Sequence, residues 1–182
     1  EIKKEIENIS KIPRAISKTL NEYKKYKFSK LYKFFLHKNW FVTYDEVSKK
    51  HAGMEIRIKL SECCYRSLLQ LNVKNLISYE IKNSIVIYHA GVDQWNLKSN
   101  IKKLNDKNNI VVLIGDQKLI NVIKNNPKIY KIYNTEISSD LSIIPTVING
   151  QLLSFNVAKE FDKRKLFFES LKNLILEKKN IS

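Results

Sequence analysis

The chain has 182 residues, of which 43% are hydrophobic and 28% charged. This length and apolar fraction indicate one folded domain with appendages and exclude an intrinsically disordered chain. Apolar runs such as residues 110–114 are only a few residues long, which excludes a membrane-spanning helix. The formal net charge of +15 favours a polyanionic partner.

The first predicted element is a long basic helix over residues 14–38. Its apolar residues recur at helical spacing among the lysines, at Leu20, Tyr23, Leu31, Phe34 and Phe35. From Lys11 to Lys38, nine Lys or Arg residues accompany a single acid, Glu22. Such a stripe is typical of a nucleic-acid-binding surface, and a solvated lysine-rich helix face is the alternative.

The next segments alternate between strands and helices. Residues 40–44 are short and apolar, which predicts a strand, and residues 45–53 predict a loop or short helix. Residues 54–59 alternate apolar and charged side chains, the pattern of a half-buried strand. A helix capped by Ser61 is predicted to follow and to end at Leu71, with Cys64 and Leu68 on its apolar face.

A strand–helix–strand unit is predicted over residues 84–114. Strands at 84–88 and 110–114 flank a helix at 93–104. Trp95, Leu97, Ile101 and Leu104 are the predicted packing positions of this helix. Such a unit forms a right-handed crossover between parallel strands. The fold class predicted for the chain is therefore α/β (α+β), a small mixed sheet with packed helices.

The segment at residues 143–153, IIPTVINGQLL, allows two interpretations. Pro145 followed by an Asn-Gly pair resembles the proline loop and hairpin of a thioredoxin-like enzyme. Apolar residues at intervals of three and four, with Pro145 in the first turn, instead favour a helix, although Gly150 opposes it. Since no cysteine follows the strand at 84–88, we predict the helix.

The region between residues 116 and 141 predicts a short helix and a weak strand at 128–133. A second amphipathic helix is predicted over residues 157–179. The resulting organisation is a basic helical segment at 1–38, a globular α/β part at 39–155 and a C-terminal helical arm at 156–182.

Residues for catalysis or for cofactor binding are scarce. The adjacent Cys63 and Cys64 cannot form a Cys-x-x-Cys centre, and the three histidines lack metal-ligand spacing. Four glycines in the whole chain leave no phosphate-binding loop. His89, at a strand end, is interpreted as structural. We therefore predict no enzyme, no metal and no cofactor.

Five stretches in order resemble one family. They are KLYKFFLHKNWFVTY, MEIRIKLSECCYRSLL, NLISYEIKNSIVIYHAGVDQWNLKSNIKKL, NNIVVLIGDQKLIN and IIPTVINGQLL. Their succession resembles the stalk-base protein of the large ribosomal subunit, the tenth of that series and the counterpart of eukaryotic acidic P-zero. The resemblance covers about residues 24–155 and is closest to organellar members.

The resemblance implies a structural constituent of the ribosome that binds large-subunit rRNA near the GTPase-associated centre. It implies a mitochondrial location, with another organelle or the cytoplasm of an AT-rich organism as alternatives, and neighbouring stalk-base proteins as partners. The candidate RNA-binding residues are Lys11, Arg14, Lys18, Lys24, Lys25, Lys27, Lys30, Lys33, Arg57, Lys59 and Arg66. Such contacts would weaken steeply with salt.

The resemblance also implies that the C-terminal helix carries dimers of the acidic stalk protein. The candidate contacts are Leu166, Phe167, Phe168, Leu171, Leu174 and Ile175. The same stripe could instead pack on the chain's own sheet. A redox-inactive thioredoxin-like protein and a basic RNA-binding ribosome assembly factor are the alternative functions.

Overall fold

The computed structural model describes residues 2–64, 66–91, 94–135 and 141–163. The helices are α1 (Ile2–Ser10), α2 (Ile12–Tyr23), α3 (Ser29–Phe35), α4 (Lys50–Cys64), α5 (Val73–Ser78), α6 (Gln94–Asp106), α7 (Gln117–Ile120) and α8 (Ile143–Lys163). The strands are β1 (Trp40–Tyr44), β2 (Leu69–Asn72), β3 (Ile85–His89), β4 (Ile110–Asp116) and β5 (Ile129–Asn134). A 3₁₀ turn, Val47–Lys49, leads directly into α4.

The five strands form one sheet in the order β2-β1-β3-β4-β5. The predicted α/β class is confirmed. All four strand pairings are parallel, so the described sheet is not the mixed one that was expected. Each strand reaches the next through a segment that contains a helix, which is what parallel pairing requires.

Helices cover both faces of this sheet, and each face has its own core. On one face, residues of α3, α4 and α8 pack against alternate positions of the strands, such as Ile85 and Val112. On the other face, α5, α6 and α7 pack against the intervening positions, such as Val86 and Leu113. All five residues of β3 are buried, which explains its continuous apolar sequence.

The predicted basic helix over residues 14–38 is wrong in one respect, because the chain leaves the helix after Tyr23 and re-enters one at Ser29. In the break, the ring of Tyr26 stacks on that of Phe28 at 5.0 Å. The Tyr26 hydroxyl also accepts a 2.9 Å hydrogen bond from the Tyr133 backbone N–H. The ring of Phe28 also packs edge-on against that of Tyr130 at 5.5 Å, so the break is attached to β5 by aromatic residues.

The strand predicted at residues 54–59 is also wrong, because these residues lie inside α4. Ile56, Leu60 and Cys64 recur every four residues and are buried, so the helical period decides the structure. The helix predicted from Ser61 to Leu71 is therefore wrong too. α4 ends at Cys64, and residues 69–72 form β2.

The strand–helix–strand unit is confirmed at β3, α6 and β4, and the strand at residues 40–44 is confirmed as β1. Trp95 is the exception among the predicted packing positions of α6. Its side chain is 82% exposed, because it lies on the opposite side of the helix from the buried Leu97 and Ile101.

The helical interpretation of residues 143–153 is confirmed, because they begin α8. Gly150 lies where α8 meets α4, and a Cβ atom there would come within 1.9 Å of Cγ1 of Ile56. The glycine thus permits a close helix–helix approach. α8 continues past residue 155, and Val157 and Phe161 belong to the core beneath α3 and α4. None of the helices in the described ranges is long and apolar enough to cross a membrane.

Candidate functional site

The strand order reverses between β1 and β3. From β1 the chain moves through α4 to β2 on one side, and it then returns to β3 on the other side of β1. α4 follows β1 on one face of the sheet and α6 follows β3 on the other. A crevice forms at such a point, at the carboxyl ends of the two strands, and it is where open α/β sheets bind ligands.

The Asp45 carboxylate, directly after β1, joins the two strands across this crevice. Its Oδ1 accepts a 2.5 Å hydrogen bond from the Gly91 backbone N–H, and its Oδ2 accepts one of 3.0 Å from the Tyr88 hydroxyl. Burial raises the pKa of Asp45, and these two hydrogen bonds partly offset that rise. The half-buried Glu46 lies beside it.

A lysine links the beginnings of two long helices at the same edge. Lys49 immediately precedes α4, and Ser142 immediately precedes α8. The Lys49 ammonium donates a 3.0 Å hydrogen bond to Oγ of Ser142. The amino ends of both helices therefore meet beside one positive charge, an arrangement that favours an anion.

His89, the last residue of β3, is fully buried. Neither ring nitrogen has a hydrogen-bond partner among the described residues. Burial and, to a lesser extent, the nearby charge of Lys49 lower the pKa of His89 to about 3. The imidazole is thus neutral at pH 7 and lies enclosed in the protein with both ring nitrogens unpaired among the described residues.

A network of buried amides and hydroxyls continues the site to the end of β5. Asn134 donates from Nδ2 to Oγ1 of Thr146 at 2.7 Å and accepts at Oδ1 from Asn149 at 3.0 Å. The Asn149 amide also donates to the Tyr133 carbonyl. Its own Oδ1 is buried and has no partner within the described ranges. The carboxyl edge of the sheet therefore contains three buried polar atoms that are unpaired among the described residues.

The predicted RNA-binding residues are not among the side chains described above. Eight of them lie along α2, α3 and the connection between these helices, and all eight are exposed: Lys11, Arg14, Lys18, Lys24, Lys25, Lys27, Lys30 and Lys33. Lys11 pairs with Glu7 and Lys25 with Glu22 within their own segments. Both ion pairs are exposed and join residues three or four positions apart.

The other three predicted RNA-binding residues are on or near α4. Arg57 is half-buried, and Lys59 forms an ion pair with Glu62. The Arg66 guanidinium lies over the rings of Trp40 and Phe161, at 5.2 and 5.6 Å from their centres, so it packs on the core. The stripe Leu166, Phe167, Phe168, Leu171, Leu174 and Ile175 lies outside the described residues.

The sequence interpretation missed most of the residues that meet in the crevice. Asp45 and Lys49 belonged to a segment assigned only as loop or short helix, and Ser142 belonged to none. The sequence does contain one indication of this site, because polar residues lie at the carboxyl ends of β1 and β3, which are at the same edge of the sheet. Within the described part of the chain, no three His, Cys, Asp or Glu side chains lie together as metal ligands.

No protein-family model matches this chain, and no curated protein matches it in sequence. Solved structures do match its fold. The C-terminal domain of glucosamine-fructose-6-phosphate aminotransferase from Francisella tularensis superposes with a TM-score of 0.69 at 19% identity. The match covers 86% of this chain, which spans only 45% of that one.

Two smaller proteins match over most of their own length. The Vibrio vulnificus NanR protein complexed with ManNAc-6P has a TM-score of 0.61 at 7% identity, covering 93% of this chain and 68% of that one. Phosphoheptose isomerase GmhA from Neisseria gonorrhoeae has a TM-score of 0.58 at 8% identity. The match covers 86% of this chain and 98% of that one.

These structures overturn the resemblance to the ribosomal stalk-base family, which is wrong. The predicted role in the large ribosomal subunit is wrong with it, as are the rRNA, stalk-base and acidic stalk protein partners. The thioredoxin-like and assembly-factor alternatives fit no better. The resemblance rested on the order of elements, which unrelated α/β proteins share. The mitochondrial location stays a prediction.

The prediction that the chain is not an enzyme is not supported by these comparisons, because proteins of this fold include some named as isomerases and one named only as a sugar-binding protein. At these identities the likeness shows the fold alone. The chain therefore shares the α/β fold of these solved structures.

Proposed function

We propose that this chain binds a phosphorylated sugar in the crevice between the carboxyl ends of β1 and β3. The observation that carries the proposal is the Lys49–Ser142 hydrogen bond, which brings the amino ends of α4 and α8 together beside a lysine. A phosphate group has the charge and the acceptor oxygens that this arrangement favours. The likeness in fold to proteins named for sugar phosphates supports the same ligand class.

The rest of the crevice suits a polyhydroxylated ligand. Sugar hydroxyls both donate and accept hydrogen bonds, so they are able to pair with carboxylate side chains. Glu46, half-buried beside Asp45, supplies such an acceptor.

We infer binding without turnover, because neither Asp45 nor His89 is well suited to moving a proton. Both oxygens of Asp45 already accept hydrogen bonds from the chain itself. His89 is fully buried, and its pKa of about 3 makes it a weak base. Isomerisation between an aldose and a ketose phosphate requires a base with access to the ligand's carbon atoms.

Isothermal titration calorimetry with fructose 6-phosphate and ManNAc-6P tests this proposal. Wild-type protein is expected to bind at least one of them, and Lys49→Gln to weaken that binding by about ten- to a hundred-fold, the range for a hydrogen bond to a charged group. Lys82→Gln, the same charge change at the other edge of the sheet, is the matched control and should bind like wild type.

Binding that Lys49→Gln leaves unchanged would refute this site. No heat with either ligand at about 10 mM, a concentration that half-fills even a site worth only about 2.7 kcal/mol, would refute the ligand class. A separate assay follows interconversion of aldose and ketose phosphates over hours. Turnover that wild type shows and Lys49→Gln lacks would replace the inference of binding alone with an isomerase.

A further inference from the structure

The Asp45 carboxylate is held on both oxygens by groups of β3 and the loop that follows it. One oxygen accepts from the Gly91 N–H at 2.5 Å and the other from the Tyr88 hydroxyl at 3.0 Å. The fully buried Tyr88 hydroxyl in turn accepts a 3.1 Å hydrogen bond from Nδ2 of Asn100. The carboxylate thus has a fixed position, set by side chains from β3 and α6.

The position it occupies is one where an external anion would otherwise be expected. Gly91 lies between the end of β3 and the start of α6 at Gln94, on the carboxyl edge of the sheet. Backbone N–H groups that lead into a helix at such a switch point bind phosphates in open α/β proteins. In this chain an acidic side chain of its own accepts that N–H.

Close contact at Gly91 makes this arrangement specific to glycine. A Cβ atom at position 91 would lie 2.6 Å from Oδ1 of Asp45 and 2.8 Å from Cβ of Glu46. The carboxylate approaches the backbone so closely that no second group fits between them. A phosphate could reach the Gly91 N–H only by displacing Asp45, and it would also meet the negative charge of that carboxylate.

We propose that Asp45 sets the orientation of the ligand, by excluding phosphate from the Gly91 N–H and directing it to Lys49. This orientation rests on the proposed function. The sugar end of the ligand then faces Asp45 and Glu46, whose carboxylates accept hydrogen bonds from hydroxyl or amino groups. The ligand class is accordingly a sugar with a single phosphate at one end and hydroxyl or amino groups at the other.

Nuclear magnetic resonance of the ¹⁵N-labelled full chain, titrated with inorganic phosphate, tests the exclusion directly. In wild type, phosphate should shift the amide signals of Lys49, Lys50 and Ser142 and leave that of Gly91 in place. In Asp45→Ala the Gly91 amide should shift as well. The apparent affinity for phosphate measured at that amide should be at least about tenfold higher than in wild type. Glu46→Ala is the matched control, because this variant removes a neighbouring acid but keeps the Asp45–Gly91 hydrogen bond.

Two results would overturn the proposal: a Gly91 signal that shifts in wild type, or one that stays in place in a folded Asp45→Ala variant. Should Asp45→Ala fail to fold, Asp45→Ser takes its place, because its shorter side chain withdraws the acceptor oxygen from the Gly91 N–H and keeps a polar group near Tyr88. Its Gly91 amide should then respond to phosphate, and no response would refute the exclusion.

The experiments distinguish a failure of the role of Asp45 from a failure of the proposed function. A Gly91 response in Asp45→Ala, together with no binding of either sugar phosphate by wild type, would contradict the proposed function and leave the exclusion intact. Sugar-phosphate binding that depends on Lys49, together with a silent Gly91 in both proteins, would contradict only the role of Asp45.

Discussion

Gly150 of α8 faces Ile56 of α4 so closely that a Cβ atom on the glycine would lie 1.9 Å from Cγ1 and 2.0 Å from Cδ1 of the isoleucine. Both residues are buried at the junction of the two helices. An Asn-Gly pair in the middle of a helix, which weakens the helix by about 1 kcal/mol relative to alanine, is thereby explained by packing.

Gly150→Ala should lower the free energy of unfolding. The added methyl overlaps Ile56, and overpacking of this kind costs about 1–3 kcal/mol, more than the helix propensity of alanine returns. Denaturation by urea measures the change. Gln151→Ala, one residue along on the exposed side of α8, should be close to neutral. If the overlap is the cause, Ile56→Ala will make the alanine at 150 tolerable, and a cost that persists in the double variant would contradict it.

Stability should fall below pH 6.5 because of His89. Its folded pKa of about 3 lies below the ordinary value of 6.5, so the unfolded chain takes up a proton that the folded chain refuses. Between these values the free energy of unfolding from this group decreases by about 1.4 kcal/mol per pH unit. Asp45, with its pKa raised, acts in the opposite direction at the acidic end of this range.

His89→Leu is the variant that isolates this effect. Urea denaturation at each pH should show that the free energy of unfolding of this variant falls less between pH 7 and pH 5 than that of wild type. Relative to wild type, the variant should therefore be more stable at pH 5 than at pH 7. Equal slopes in the two proteins would show that His89 is not buried in its neutral form.

Arg66 should contribute to folding. Its guanidinium covers the rings of Trp40 and Phe161 and lies near the Leu36 carbonyl at 3.5 Å. Arg66→Ala is therefore expected to lose about 1–2 kcal/mol of stability, from cation–π attraction and from packing of the side chain. Arg14→Ala, at an exposed position of α2, should change stability by less than about 0.5 kcal/mol. Similar losses of stability in the two variants would contradict a packing role for Arg66.

The adjacent cysteines should react very differently with a thiol reagent. Cys63 is exposed and Cys64 is buried, and burial raises the pKa of the Cys64 thiol to about 12. One thiol should therefore react with 5,5′-dithiobis(2-nitrobenzoate) in the native protein and two in denaturant. The Cys63→Ser variant should show none in the native state, and fast labelling there would mean that α4 opens at its end.

The strands and helices that depend on local pattern could be predicted from the sequence. β3, α6 and β4 have apolar runs or helical spacing that no tertiary contact contradicts. The helix at residues 54–59 could not be predicted. Charged and apolar residues alternate there as in a strand, while Ile56 and Leu60 also satisfy a helical period. Only the contact with α8 shows which period the chain uses.

The residues that meet in the crevice could not be predicted from the sequence for a related reason. Asp45 and Gly91 are 46 positions apart, and Lys49 and Ser142 are 93 apart, so nothing local connects them. Their meeting depends on the strand order, and a sequence that suggests parallel strands does not say which strands are neighbours. The excess of lysine in α2 and α3 was, by contrast, easy to detect, and the partner inferred from it is contradicted by the fold.

The contacts of α2 with the end of the sheet impose an order on folding. The Thr19 hydroxyl meets that of Thr135 at 2.8 Å, 116 positions later, and the Tyr26 hydroxyl accepts from Tyr133, 107 positions later. During synthesis, β1 and β3 can pair before β5 exists, but α2 and the residues after it cannot form these contacts until β5 has left the ribosome. Their apolar side chains, including the core residues Tyr23 and Phe28, stay exposed for that interval, when a growing chain is most open to aggregation or to chaperones.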